Sequence, residues 1–205
     1  MSPRAAVAYS IIGLAIAVAT LDGATTTRQQ AEAMARKIAA IKQQAQVNRG
    51  QGQTRTAVRR TSVTENEINS WFAYGADPVL PAGVINPQVT ILADGRVKGA
   101  ATVDLEAFAK RRSRGSSLDP WNLLGGRVPV VVTGTLRTKD GQGRFEMDEA
   151  QVSGVPVPSA LLQELVSYYS RSADQPQGIR LDEAFELPAN IKQIEVGQGQ
   201  VVVVQ

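Results

Sequence analysis

Val128-Pro129-Val130-Val131-Val132-Thr133-Gly134-Thr135-Leu136 reads as a strand, Lys139-Asp140-Gly141-Gln142-Gly143 as a turn, and Arg144 to Val152 as the strand that returns. Pro156 and Pro158 then open an apolar helix, Ala160 to Tyr169, and more strand follows, ending in Val201-Val202-Val203-Val204. In helical projection Leu161, Leu162, Leu165, Val166, Tyr168 and Tyr169 fill an arc of roughly 160°, wider than the ~100° stripe with which a surface helix meets a core. A sheet curled around such a helix either builds a dry core or leaves a groove for an apolar guest. The residues expected to line that space are Leu161, Leu165, Tyr168 and Tyr169 on the helix, with Val130, Val132 and Phe145 on the sheet.

Toward the N terminus, Val89 and Ile91 alternate with Gln88 and Thr90 until Asp94-Gly95, whose positive φ angles suit a type I′ hairpin turn. The return strand puts Val97, Gly99, Ala101, Val103 and Leu105 on one face and Lys98, Thr102, Asp104 and Glu106 on the other. One wet face and one buried face imply an antiparallel sheet covered on a single side. After Gly143, Phe145 and Met147 alternate correctly, but the apolar set then moves to Ala150 and Val152. This slip near Asp148-Glu149 predicts a bulge that bends the strand. Further strand follows at Ile179 to Leu187 and, beyond Pro188, at Ile191 to Val196, with a Gly197-Gln198-Gly199 turn before the final valines. The expected class is α+β, a bent antiparallel sheet wrapped around a long helix.

The folded domain is expected over residues 62–205. It opens on Thr64-Glu65-Asn66-Glu67, a capping box in which the Thr64 hydroxyl accepts from Glu67 N–H and Glu67 reaches back. Residues 25–61 are expected to form a helical stalk and linker. From Thr25 to Gln46, Ala31, Met34, Ile38, Ile41 and Ala45 draw a narrow seam, which serves either self-association or a helix lying along the domain. Residues 1–24 combine one positive charge at Arg4, an uncharged run from Ala5 to Leu21, and the small-x-small pattern Ala17-Val18-Ala19. This is the layout of a signal peptide cleaved after Ala19, with an uncleaved inner-membrane anchor as the alternative. Both predict export to the periplasm or cell envelope.

Composition narrows the chemistry. The 205 residues are 43% hydrophobic and 20% charged, enough for a real core, but only 5% aromatic, so Ala, Val, Leu and Ile must fill it. Histidine and cysteine are both absent, which removes the usual neutral-pH acid–base group, thiol nucleophiles and the commonest metal ligands. No metal, no cofactor and no enzymatic activity are expected. The acid pairs Asp104/Glu106, Asp148/Glu149 and Asp182/Glu183 read as solvent contacts, since glycoside hydrolysis needs a cleft and one raised pKa. The net charge of +3 licenses attraction to anionic membranes without demanding it.

The one dense basic run is Lys110-Arg111-Arg112-Ser113-Arg114. It is too brief, and too poor in interleaved aromatics, for a nucleic-acid surface. Trp121, Leu123 and Leu124 follow it in a loop. Two readings stand. Lys110, Arg111, Arg112 and Arg114 meet lipid headgroups while Trp121, Leu123 and Leu124 enter the interface, or Trp121 folds back to plug one end of the sheet.

Three stretches carry a family resemblance: Val63-Thr64-Glu65-Asn66-Glu67-Ile68-Asn69, Val152-Ser153-Gly154-Val155-Pro156-Val157-Pro158-Ser159-Ala160-Leu161-Leu162, and Phe185-Glu186-Leu187-Pro188-Ala189-Asn190-Ile191 running on to Val196. In this order the chain from Ser62 to Gln205 resembles the LmeA-like family of bacterial envelope proteins, related to the TULIP lipid-binding fold. The resemblance implies a half-TULIP cradle with an apolar interior open to an acyl chain. The function expected is therefore non-enzymatic binding of a lipid or other amphiphile. The alternative is a structural or assembly module that docks a protein partner in the envelope.

Overall fold

Xaa-Gly pairs set where this chain reverses. The computed structural model describes residues 26–50, 58–75, 80, 83–105, 126–170, 177, 180 and 183–205. Among them lie, in order, α1 (Arg28–Gly50), β1 (Arg60–Thr64), α2 (Glu65–Tyr74), β2 (Val84–Ile91), β3 (Arg96–Asp104), β4 (Arg127–Lys139), β5 (Gln142–Val152), β6 (Val155–Val157), α3 (Ser159–Ser170), β7 (Phe185–Glu186), β8 (Gln193–Val196) and β9 (Gln200–Val204). Asp94-Gly95, Asp140-Gly141 and Ser153-Gly154 each hold two successive positive φ angles. That is the two-residue turn whose twist matches the strands it joins. Two of these turns join β4 to β5 and β5 to β6, and the first joins β2 to β3.

The result is a six-stranded antiparallel sheet, β2-β3-β4-β5-β6 with β7 beside β5, curled into half a barrel. The expected bulge is present. Thr133 faces Glu149 and Gly134 faces Met147, so Asp148 is the extra residue. A second irregularity lies between Ile85 and Gln88, where Asn86 adopts a φ of 49°. Bulges of this kind bend and twist the bulged strand.

A second, three-stranded sheet runs β1-β9-β8, with Arg60 opposite Val204 and Thr64 opposite Gln200. Sequence reading placed no strand at β1, because Val63 is its only apolar residue and β9 supplies the hydrophobic pattern. Thr138 joins the two sheets: its Oγ1 donates to Ile194 O at 2.9 Å and accepts from Ile194 N at 2.8 Å.

Helices α1 and α2 pack with the small sheet. The Thr64 capping box forms as expected, with Glu67 N donating to Thr64 Oγ1 at 3.2 Å and Thr64 N donating to Glu67 Oε2 at 2.8 Å. The face that α2 buries most deeply is polar. Ser70 has no exposed surface; it accepts from Thr27 N at 3.1 Å and donates to Gln30 Oε1 at 3.0 Å. Thr27, just ahead of α1, and Gln30 in its first turn thus hang on α2.

Ala31, Ile41 and Ala45 of the seam are buried, and Ile41 packs with Leu187, Ile191 and Val203. The helix lies along the domain, the second of the two placements expected of its seam, with Met34 and Ile38 only partly buried. Ile41, on the N-terminal side of residue 62, belongs to this core. Residues 1–25, with the signal or anchor, and residues 106–125, with the basic and Trp121 loop, lie outside the described residues. Among those described, no helix is long and apolar enough to cross a membrane.

Candidate functional site

Strand register assembles the concave face of the large sheet. Val89 stands opposite Gly99, Gly99 opposite Val132, and Val132 opposite Ala150, with Val130 beside Ala101 in the next row. Helix α3 lies over this face and turns Leu162, which is buried, and Val166 toward it. Val89, Val97, Gly99, Val130, Val132, Phe145, Leu162 and Val166 enclose a cavity of about 360 Å³, open on one side. Its lining is almost wholly apolar. Lys98 takes part through its main chain, since strand alternation sends its side chain to the other face with Thr90 and Thr133.

Two glycines shape this cavity in opposite ways. At Gly99 a β-carbon would meet nothing within 4 Å, so the missing side chain is open groove. At Gly134 a β-carbon would stand 2.5 Å from Phe145 Cζ and would also strike the Glu146 carbonyl oxygen. Here the Phe145 ring has taken the space, and the ring forms a wall.

The outer wall, β2, is held by α2. Asn69 Nδ2 donates to Val89 O and Asn69 Oδ1 accepts from Val89 N, both at 2.8 Å. Glu65 Oε2 accepts from Ile91 N at 2.7 Å, and Gly199 N donates to Ile91 O at 3.0 Å. Side chains thus do for the β2 edge what a further strand would do, and they fix Val89 at the groove.

A second cavity, of about 500 Å³, opens along β5 between Arg144, Phe145, Glu146 and Met147 on one side and Ser159, Ala160, Gln163 and Glu164 of α3 on the other. Its place follows from pairing: β7 borders β5 at Gln142–Gly143 and β6 borders it from Ala150 to Val152, and the stretch between has no described strand on that side. Phe145 lines both cavities. Glu146 is held by Arg137 at 2.8 Å.

Of the predicted lining, the structure brings Val130, Val132 and Phe145 together. Leu161 is a correction. It is 36% exposed and does not reach the groove, because the next residue round the helix, Leu162, and its i+4 neighbour Val166 face the sheet. The side chains of Leu165, Tyr168 and Tyr169 lie outside the described residues, as do Lys110, Arg111, Arg112, Arg114, Trp121, Leu123 and Leu124. Sequence reading did not single out Gly99, although a glycine on the inward face of a valine-rich strand is the visible sign of space.

Asp104 pairs with Arg127 and Asp148 with Arg96, each at 3.6 Å. Among the described residues no group of three or more His, Cys, Asp or Glu side chains is placed to hold a metal. Among the described residues the clearly shifted carboxyl is Glu67, and its role is structural. Burial pushes it up, but the hydrogen bonds and charge of Lys37, together with the Thr64 amide and hydroxyl, outweigh that and hold it below its ordinary value of 4.5.

No family model matches the chain, and no curated protein matches it. Among solved structures it is similar to the crystal structure of lipopolysaccharide binding protein, at 15% identity over 71% of this chain and 40% of that one, with a TM-score of 0.21. The chain therefore spans well under half of that protein's length, and the overlay is too loose to define a shared fold.

Proposed function

We propose that this chain is a non-enzymatic carrier or receptor for a lipid or other amphiphile, which holds an acyl chain between the curled sheet and α3. The observation that carries this reading is Gly99. A dry core would place a β-branched residue among Val89, Val97 and Val132. Glycine there weakens the strand by about 0.5–1 kcal/mol, and what it leaves is an open apolar groove. A cavity of about 360 Å³ is in the range of small-molecule sites, ~300–1,000 Å³.

The finer reading is a half-TULIP cradle of the LmeA-like kind. The curled antiparallel sheet with a helix across it supports this, as does the use of Thr64 and Asn69 from the motif to cap α2 and hold β2. The sequence, without His or Cys, supports a binding role over a catalytic one. The layout of residues 1–24 supports a place in the cell envelope.

The test is binding of a fluorescent fatty acid to the delipidated protein, with Gly99→Leu in parallel. Saturable binding by the wild type, lost in Gly99→Leu at an undiminished melting temperature, is the expected result. Absence of saturable binding to any lipid class would overturn the proposal and leave docking of a protein partner as the reading.

A further inference from the structure

We propose that Phe145 sets the length of the hydrocarbon chain that the groove accepts, by closing one end of it with its ring. This rests on the lipid-binding reading of that groove and adds which chains fit it. Strand register gives the geometry. The inward positions of β4 run Val130, Val132, Gly134 and Leu136. Phe145 stands opposite Leu136, and its ring leans back over Gly134, where a β-carbon would lie 2.5 Å from Cζ and 3.0 Å from Cε1. The place next after Val132 is therefore filled from the neighbouring strand, by the one aromatic ring among the described residues that line the groove.

Toward the other end, the described positions of the same face are Ala101 and Val152 beside Val130, then Val103 opposite Val128, all small and half-buried. A chain lying along the strands thus has an open end near Val130 and a blind end at Phe145. The four steps from Val130 to Gly134 cover ~13 Å of strand, the length of an extended chain of about ten carbons. Behind the ring there is more room. Phe145 also borders the second cavity, of about 500 Å³, whose lining is mostly apolar surface. Removing the ring would join that space to the groove of about 360 Å³. Met147, the next inward position of β5 and opposite Gly134, lines the second cavity and not the first.

The experiment titrates the delipidated full chain with saturated fatty acids of even length from eight to sixteen carbons, each below its micelle concentration. For the wild type, affinity should rise about fourfold per methylene, the worth of burying one, and level off near ten carbons. Phe145→Ala should bind the shortest acid more weakly, having lost the contact with the ring, and the longest more tightly, as the tail enters the second cavity. Adding Met147→Trp to Phe145→Ala should bring the levelling-off back to the shorter length. A general loss of stability does not produce such a crossing. Phe145→Leu, which keeps part of the side-chain volume, repeats the test if the alanine variant does not melt cooperatively. Wild-type affinity that keeps rising to sixteen carbons would overturn the assignment. So would one levelling-off length shared by the wild type and the Phe145 variants, with tail binding itself left intact. Binding of no fatty acid at all would remove the lipid-binding reading and this one with it.

Discussion

The Phe145 ring stands over the α-carbon of Gly134, so close that a β-carbon there would lie 2.5 Å from Cζ. Two strands are locked by that overlap, and the ring is fixed as the partition between the two cavities. Gly134→Ala should therefore force the ring and the β5 main chain apart and cost about 1–3 kcal/mol, the usual penalty of overpacking. Gly99→Ala in the neighbouring strand should do the reverse and stabilise by about 0.4–1 kcal/mol, because its β-carbon meets open space on ordinary strand backbone. Urea melts of the two variants, read for opposite signs, check this.

Ile41 joins α1 to the core beside Leu187, Ile191 and Val203. Ile41→Ala should cost about 2–5 kcal/mol, as for other buried large-to-small changes. A chain beginning at Val58 should lose more, since it uncovers the whole patch. A truncated protein that melts at the full chain's temperature would contradict the packing of α1.

Lys37 Nζ lies 2.7 Å from both carboxylate oxygens of Glu67. Because the folded state holds the Glu67 carboxyl below 4.5, the contribution is present above that pH and is lost as pH falls through the lower, folded value. Glu67→Gln should flatten the stability–pH curve in that acid window and change it little between pH 6 and pH 8. Lys37→Met, which leaves the partly buried acid without its cation, should cost about 1–3 kcal/mol at neutral pH. Thermal melts across a pH series measure both.

Asn69 holds the β2 edge with one donor and one acceptor. Asn69→Ala should cost about 1–3 kcal/mol by leaving Val89 N–H and C=O without partners. It should also raise self-association at high concentration, since a bare strand edge is a template for pairing. Light scattering beside a thermal melt would show both. Asn69→Asp keeps the acceptor for Val89 N but sets a carboxylate against Val89 O, and should be no milder than the alanine.

Local chemistry made much of the large sheet legible. Asp94-Gly95, the Thr64 box, the phase slip at Asp148 and the alternation about Val97 are each decided by a few adjacent residues, and each is present. What was not legible depends on distant partners. The β1 strand is defined by β9, and the α1 seam by Ile191 and Val203. A periodic seam records that a helix has a covered side and does not record what covers it. The site divided the same way. Val130, Val132 and Phe145 came from strand alternation, but an apolar arc as wide as that of α3 does not define which part meets the sheet, and Leu162 rather than Leu161 does so.

The middle strand of the small sheet is β9, which follows every other described element in the chain. During synthesis, Val63 and the Ile41 side of α1 have no surface to close on until residues 200–204 have left the ribosome. Joining Arg60 to Val204 then requires closure of nearly the whole domain as one loop, a contact that is slow to find. Assembly of this half of the molecule therefore waits on its last described strand.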